Sequence, residues 1–348
     1  MELRELLMYT IDRQASDLHL TENMPPLIRV DGRIIPSELP VLSREQTKKL
    51  IYSVLSNEQK EKFEKEWELD LSLAIPGLDR FRVNIHIQRG SVEAAFRRIP
   101  ILIPHYDDLG LPRIVAELAR KPNGLVLVTG PTGVGKTTTL GAMVDLINNE
   151  KEGIIISIED PIEFLHENKK CVVKQREVYS DTKSFAGALK RALRQDPDVI
   201  MVGEMRDLET ISTALTAAET GHLVLATLHT PNAPQTVERI IDVFPPNQQT
   251  QVRLQLADSL QGVVSQLLLP HASGKGRVVA TEIMVATPGI RNLVREHEIE
   301  QIPTLMQTGS QFGMHTMDKD LKRLVKEGQI TLEVAQAKVR NPEEFRSL

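Results

Sequence analysis

Nine residues constrain this chain more than any other stretch: Gly130-Pro131-Thr132-Gly133-Val134-Gly135-Lys136-Thr137-Thr138. They follow the apolar run Gly124-Leu125-Val126-Leu127-Val128-Thr129 and open a helical segment. A glycine-rich loop in that context is a phosphate cradle. The glycines let the backbone wrap an anion so that its N–H groups point inward, and the helix starting near Lys136 adds its positive dipole end. Lys136 then suits the β- and γ-phosphates of ATP, and Thr137 suits Mg²⁺. A glycine turn with no ligand would leave Lys136 without a reason to be there.

A strand, a phosphate loop and a helix set the frame for the rest of the chain. Ile154–Ile158, Val199–Val202 and Leu223–Thr227 are further near-continuous apolar runs, separated by helical stretches. That pattern predicts an α/β fold with a mainly parallel sheet covered on both faces. Val278–Met284 adds an edge strand, and beyond Pro288 the chain turns charged and helical, with Asn341-Pro342-Glu343-Glu344 as a last helix start,. The first hundred residues read differently, as a small α+β unit. Leu3, Leu6, Leu7 and Ile11 have helical spacing, Ser43-x-x-Gln46 and Ser56-x-x-Gln59 fit capping boxes, and Leu27–Ile35 is a hairpin turning at Asp31-Gly32,. Leu69, Leu71 and Leu73 alternate as in a half-buried strand. Pro100, Pro104 and Pro112 stiffen the connector between the two parts,. The expected boundaries are 1–98, a linker 99–112, a core 113–287 and a helical region 288–348.

Composition narrows the setting. The 348 residues, 41% hydrophobic and 26% charged, suit two or three folded domains,. With 42 basic and 47 acidic side chains, a polybasic nucleic-acid coat is not expected,. One cysteine, Cys171, excludes an internal disulfide and a cysteine-only zinc site, and suits the reducing cytoplasm,. The charged start Met1-Glu2-Leu3-Arg4-Glu5 does not read as a signal peptide, and no apolar run approaches the ~20 residues of a membrane span,. A membrane would be reached through a partner already there.

Further candidates cluster after the apolar runs. Glu159, Asp160 and Glu163 follow the second one, at the strand end where ligands sit in open parallel sheets,. Three carboxylates there repel unless Mg²⁺ or a proton intervenes; helix-start acids near Pro161 explain Glu163 alone. Val199-Ile200-Met201-Val202-Gly203-Glu204 resembles a Walker B strand with Gly203 where an acid is usual, which leaves Glu204 to hold a water of a Mg²⁺ shell. His222 and His229 flank the fourth run: each is either a polar plug satisfied by backbone or, for His229 beside the phosphate loop, a sensor of the γ-phosphate. In the hairpin around Gln88-Arg89-Gly90-Ser91, alternation pairs Arg82 with Arg97 on the polar face. Like charges directly opposite are unfavourable. Either both are solvated, shared with Glu68 or Asp70, or an anion sits between them.

Together these boxes resemble the secretion-superfamily ATPases, and among them the retraction motors of type IV pili, over nearly the whole chain. Ala15-Ser16-Asp17-Leu18-His19-Leu20 is similar to the N-terminal signature, Glu159–Phe164 to the aspartate box, Val202–Asp207 to the family's Walker B including its glycine, and Thr220–Thr230 to the histidine box. Gly289-Ile290-Arg291-Asn292-Leu293-Val294 resembles a retraction motif read Ala-Ile-Arg-Asn-Leu-Ile, and Gly313–Asp318 a further motif, with His315 where glutamine is usual. The resemblance implies a PAS-like N-terminal domain, a RecA-like core and a homo-hexamer recruited to an inner-membrane pilus platform protein. It implies that Glu163 polarises the attacking water, that Glu204 supports Mg²⁺, that Arg82 and Arg97 reach the nucleotide, and that Arg291–Leu293 couple to the pilus. Rivals are an assembly or secretion ATPase, whose usual four-cysteine zinc module is missing here, an accessory retraction paralogue, a scaffold that binds ATP but hydrolyses it poorly, and a hexameric nucleic-acid translocase.

Overall fold

In the computed structural model, all residues are described except 1, 31, 76, 100–102, 342–344 and 346–348. Asp31 of the first turn, Pro100 of the connector and Pro342–Glu344 of the last helix start therefore lie outside the described residues. The chain divides into two units, Met1–Leu102 and Ile103–Leu348.

In the first unit, α1 (Leu3–Asp12) buries Leu3, Leu6 and Leu7. Strands β1 (Asp17–Leu20), β2 (Leu27–Val30) and β3 (Arg33–Pro36) follow. Helices α2 (Arg44–Tyr52) and α3 (Asn57–Glu66) each start on a complete capping box, Ser43 with Gln46 and Ser56 with Gln59,. Strands β4 (Glu68–Ala74), β5 (Arg80–Gln88) and β6 (Ser91–Ile99) complete an antiparallel sheet of order β3-β2-β1-β6-β5-β4. Leu18, Ile28, Phe81, Val83, Ile85 and Phe96 form its core with the helices.

The β5–β6 register sets Ile87 opposite Val92 and Arg82 opposite Arg97, as alternation predicts. The partner of the arginines is a correction. Neither Glu68 nor Asp70 takes them: Asp17 on β1, directly opposite Arg97, holds its Nε at 2.9 Å and lies 3.7 Å from Arg29. Asp17 is 80 residues away in sequence, and hairpin alternation carries no information about which strand lies on the other side.

In the second unit, α4 (Arg113–Ala119) precedes β7 (Gly124–Thr129), α5 (Lys136–Glu150), β8 (Gly153–Glu159), β9 (Cys171–Glu177) and α6 (Phe185–Ala192). Next come β10 (Val199–Val202), α7 (Leu208–Glu219), β11 (Leu223–Leu228), α8 (Ala233–Asp242), α9 (Pro246–Ser259), β12 (Leu260–Pro270) and β13 (Arg277–Val285). Helices α10 (Pro288–Glu296), α11 (Ile302–Thr308), α12 (Met317–Lys326) and α13 (Leu332–Gln336) end the unit. The sheet order is β13-β12-β7-β11-β10-β8-β9, parallel throughout except for β13. Alternate residues of its strands feed two cores. Leu125, Leu127, Ile200 and Val224 pack with residues of α7, α8, α9 and α10; Val126, Val128, Met201 and Leu225 pack with residues of α4 and α5.

The β12–β13 hairpin carries the helical region. Gln266 pairs with Thr281. The Thr281 N–H donates to Asp320 Oδ2 of α12 at 2.7 Å, and its hydroxyl lies 3.0 Å from His315 Nε2. Further on, Arg340 donates to buried Glu282 and to the Pro231 carbonyl, both at 2.7 Å. Among the described residues, no helix is long and apolar enough to cross a membrane.

The motif at Gly289–Val294 lies within α10, and only part of it is open to solvent. Leu293 is buried in the core. Arg291 donates to the carbonyls of Ala286 at 3.0 Å and Asp258 at 2.7 Å, and also to that of Ala257, so it closes the end of α9. A charged residue at 293 would test folding rather than coupling; exposed Asn292 is the position that leaves the core intact.

Candidate active site

Four parallel strands end along one edge of the second sheet. Their register sets Leu228 opposite Thr129, and Val202 opposite both Ile158 and Ala226. The segments that leave these strands, Gly130–Thr138, Asp160–Glu163, Gly203–Arg206 and His229, therefore emerge side by side, as ligand-binding segments do in open parallel sheets.

The phosphate loop needs its glycines. Gly130, Gly133 and Gly135 take φ of +137°, +81° and +87°, open to glycine at no steric cost,. A Cβ at Gly130 would also stand 2.4 Å from the Gln266 carbonyl oxygen of β12. The Gln266 side chain lies under the same loop, donating from Nε2 to the Val134 carbonyl at 2.7 Å and accepting from Thr139 Oγ1 at 3.0 Å. Lys136 is buried, and its ammonium donates to the carbonyls of Gly130 (2.7 Å) and Pro131 (2.9 Å). Burial lowers its pKa below the ordinary lysine value, with the carboxylates of Glu204 and Glu163 pulling the other way. Thr137 and Thr138 are half-buried in the first turn of α5.

His229 joins two of the predicted groups. Its Nδ1 lies 3.4 Å from Lys136 Nζ, and its Nε2 lies 3.2 Å from Glu204 Oε1. The Lys136 ammonium can only donate, so Nδ1 accepts and Nε2 carries the proton toward Glu204. The other oxygen of Glu204 accepts from Arg206 at 2.8 Å. Burial alone would raise the Glu204 pKa, but Arg206 and His229 outweigh it and hold the carboxyl below its ordinary value. Gly203 lies close against the neighbouring strand. Its backbone N–H bonds the Ile158 carbonyl at 2.8 Å, and a Cβ there would approach that oxygen to 3.2 Å and Glu159 Cα to 3.3 Å. A side chain at this position would need the neighbouring strand to give by a few tenths of an ångström.

The acids after β8 separate by environment. Asp160 and Glu163 are exposed, whereas Glu159 is buried and accepts from Ser157 Oγ at 2.7 Å and Gln175 Nε2 at 3.1 Å. Burial pushes its pKa from 4.5 up to about 7. A proton is thus what relieves this part of the cluster. The folded carboxyl binds that proton more tightly than the unfolded one. Its contribution to stability is therefore complete below pH 4.5 and is lost as pH rises through about 7,. We expect wild-type protein to lose about 3 kcal/mol on this account between pH 4.5 and 8, and Glu159→Gln to show a flatter profile. Urea midpoints at several pH values measure the effect; equal slopes for the two proteins would refute it.

His222 stands apart, at the amino end of β11, with Nδ1 3.0 Å from the Ala217 carbonyl. That is the polar-plug arrangement. Sequence reasoning missed several groups around the site. Gln175 of β9 donates to the Phe164 carbonyl at 2.7 Å and Glu177 accepts from the Ile162 N–H at 3.1 Å, so together they hold the segment bearing Glu163. Arg206 and Gln266 were missed as well. Arg206 was legible as a basic residue two positions from Glu204; the others lie on strands that the apolar pattern does not reveal.

Residues 109–341 match the family model described as type II/IV secretion system protein. The type IV pilus retraction ATPase PilT of Pseudomonas aeruginosa is 51% identical over 345 residues, 99% of this chain and 100% of that one. The type IV pilus ATPase PilU of the same organism is 42% identical over 346 residues, 99% of this chain and 91% of that one. A crystal structure of the pilus retraction motor PilT with bound ADP superposes with a TM-score of 0.94 at 50% identity, covering 100% of both chains.

Proposed function

This chain belongs to the type II/IV secretion system protein family and is an ATPase, and on that premise we propose that it is the motor that retracts type IV pili. The observation that carries the reading is the phosphate loop, with Lys136 buried beside His229 and Glu204, in a chain alike from end to end to a pilus-retraction ATPase. The identity is 51% to the pilus retraction ATPase PilT against 42% to the pilus ATPase PilU, which supports the retraction reading.

In this reading Gly130–Thr138 wrap the phosphates of ATP and Lys136 exchanges its loop carbonyls for phosphate oxygens. The oxygen donors available for Mg²⁺ are the Thr137 hydroxyl and the Glu204 carboxylate. Among the described residues no group of three or more His, Cys, Asp or Glu side chains forms a metal cage. That donor set fits an ion that keeps several waters and leans on substrate phosphates. When bound, Mg²⁺ neutralises charge on the phosphates. Glu163 orients and deprotonates the attacking water, while His229 relays the state of Lys136 to Glu204. Arg82 and Arg97 supply positive charge to a nucleotide held by a neighbouring copy in a homo-hexamer. Residues 1–98 act as the moving domain on the 99–112 linker, 113–287 as the RecA-like core and 288–348 as the helical region. The hexamer works in the cytoplasm against a platform protein of the inner membrane.

The test is a deletion strain scored for surface pili and twitching. Immotile cells with excess pili support retraction; cells without pili would make the protein an assembly motor instead.

A further inference from the structure

We propose that Gln266 is a positioning residue of the nucleotide site, which turns one N–H of the phosphate loop toward the bound phosphates. The proposal rests on the reading that Gly130–Thr138 binds a nucleotide.

The side chain is 2% exposed and engages the loop at both ends of its amide: Nε2 on the Val134 carbonyl at 2.7 Å, Oε1 on the Thr139 hydroxyl at 3.0 Å. The Val134 bond has a consequence for the next atom along the chain. A trans peptide is planar, and its C=O and the adjoining N–H point in opposite directions. With the Val134 carbonyl turned onto Gln266, the Gly135 N–H must point away from Gln266, on the side of the loop opposite β12,. Gly135 itself has φ +87°, and a Cβ on it would lie 3.4 Å from Gln266 Nε2. The peptide is therefore held from one side by a hydrogen bond and left free of a side chain. Flipping it would remove the acceptor from a buried amide donor and turn the Gly135 N–H away from the phosphates. An unmade bond of that kind is costly.

A glutamine that only satisfied itself in the core would need neither this partner nor this position. Gln266 instead spans from the loop at Val134 to the first turn of α5 at Thr139, so it ties the two parts of the phosphate site to one strand. Its own carbonyl oxygen also abuts Gly130. One residue thus supports the loop at its beginning, its end and its exit into the helix.

ADP affinity by calorimetry and the melting temperature without nucleotide are the paired readouts, on the full-length chain. Gln266→Met keeps the length and removes the donor. It should weaken ADP binding by about 10–100-fold, the worth of one charge-assisted hydrogen bond. Gln266→Glu adds a signature that simple destabilisation would not produce. Its carboxylate cannot donate to Val134, but its protonated form can. Burial of the kind that pushes Glu159 up to about 7 would leave this carboxyl largely protonated at pH 6 and ionised at pH 8, so ADP binding by the variant should be weak at pH 8 and recover at pH 6, relative to wild type at the same pH values,. If Gln266→Met does not fold, Gln266→Glu carries the test. Wild-type ADP affinity in Gln266→Met, or in Gln266→Glu at pH 8, overturns the proposal. Lys136→Ala is the separate control for the site: if it binds ADP as wild type does, the nucleotide reading of the loop fails, whatever Gln266 does.

Discussion

Glu163→Gln is expected to bind ATP nearly as well as wild type and to turn it over about 10²–10⁴-fold more slowly, the usual worth of general-base assistance. The substitution keeps size and hydrogen bonding and removes basicity. It leaves the supports of the segment in place, because Glu177 holds the Ile162 N–H and Gln175 holds the Phe164 carbonyl, both through neighbouring backbone. Glu163 is exposed, and it follows β8 on the edge from which the phosphate loop emerges. Glu204→Gln should also slow turnover, with a different signature. It weakens the bonds to His229 and Arg206 and removes a Mg²⁺-binding charge, so part of its loss should be restored by raising Mg²⁺. Single-turnover hydrolysis with separately measured ATP affinity distinguishes the two. A Glu163→Gln enzyme with wild-type turnover beside an inactive Glu204→Gln would reverse the roles.

Arg82→Ala should cost about 10³–10⁵-fold in turnover, the range for an arginine delivered to a transferring phosphoryl group. Arg97→Ala should cost less, since Asp17 already engages the Arg97 guanidinium at 2.9 Å. Two guanidiniums on paired strands repel each other, and an anion between them relieves that repulsion. Asp17 already supplies this relief to Arg97 and leaves Arg82, which sits between Arg97 and Ser72 in the sheet. Lysine should rescue Arg82 poorly, because it keeps the charge and loses the planar fork. Mixing Lys136→Ala chains with Arg82→Ala chains locates the donor: recovered ATPase activity means that the arginine serves a neighbouring copy. Wild-type hydrolysis by Arg82→Ala would reduce it to a solvated residue.

Most of the second unit was legible because four of its strands are buried on both faces and so are apolar at nearly every position. The two strands that were missed show the limit of that signal. Strand β9 lies on an edge and mixes Lys174, Gln175 and Arg176 into its run. Strand β12 continues from α9 with no breaking residue between them, and buried Ser265 and Gln266 interrupt its apolar pattern because they face Thr129 and the phosphate loop. The site was legible wherever chemistry lies in one contiguous motif. It was illegible where two distant segments meet, as at Asp17 with Arg97 or Gln266 with Val134. At Leu293 the motif was recognisable, but its burial came only with packing. Gly203 looked like a departure from a pattern, and its close approach to the neighbouring strand shows only in the packing.

The Gln266–Thr281 pair has a mechanical consequence. On one side of it lies the floor of the phosphate loop; on the other, the Thr281 N–H is anchored to Asp320, which Arg323 grips at 2.8 Å on the same helix. Loop and α12 are thus separated by the width of two hydrogen-bonded strands and two buried side chains, Gln266 toward the loop and Asp320 toward the helix. Close-packed interiors transmit strain rather than absorb it. A displacement of the loop floor therefore has a short, close-packed route to the C-terminal helices, as through a crank.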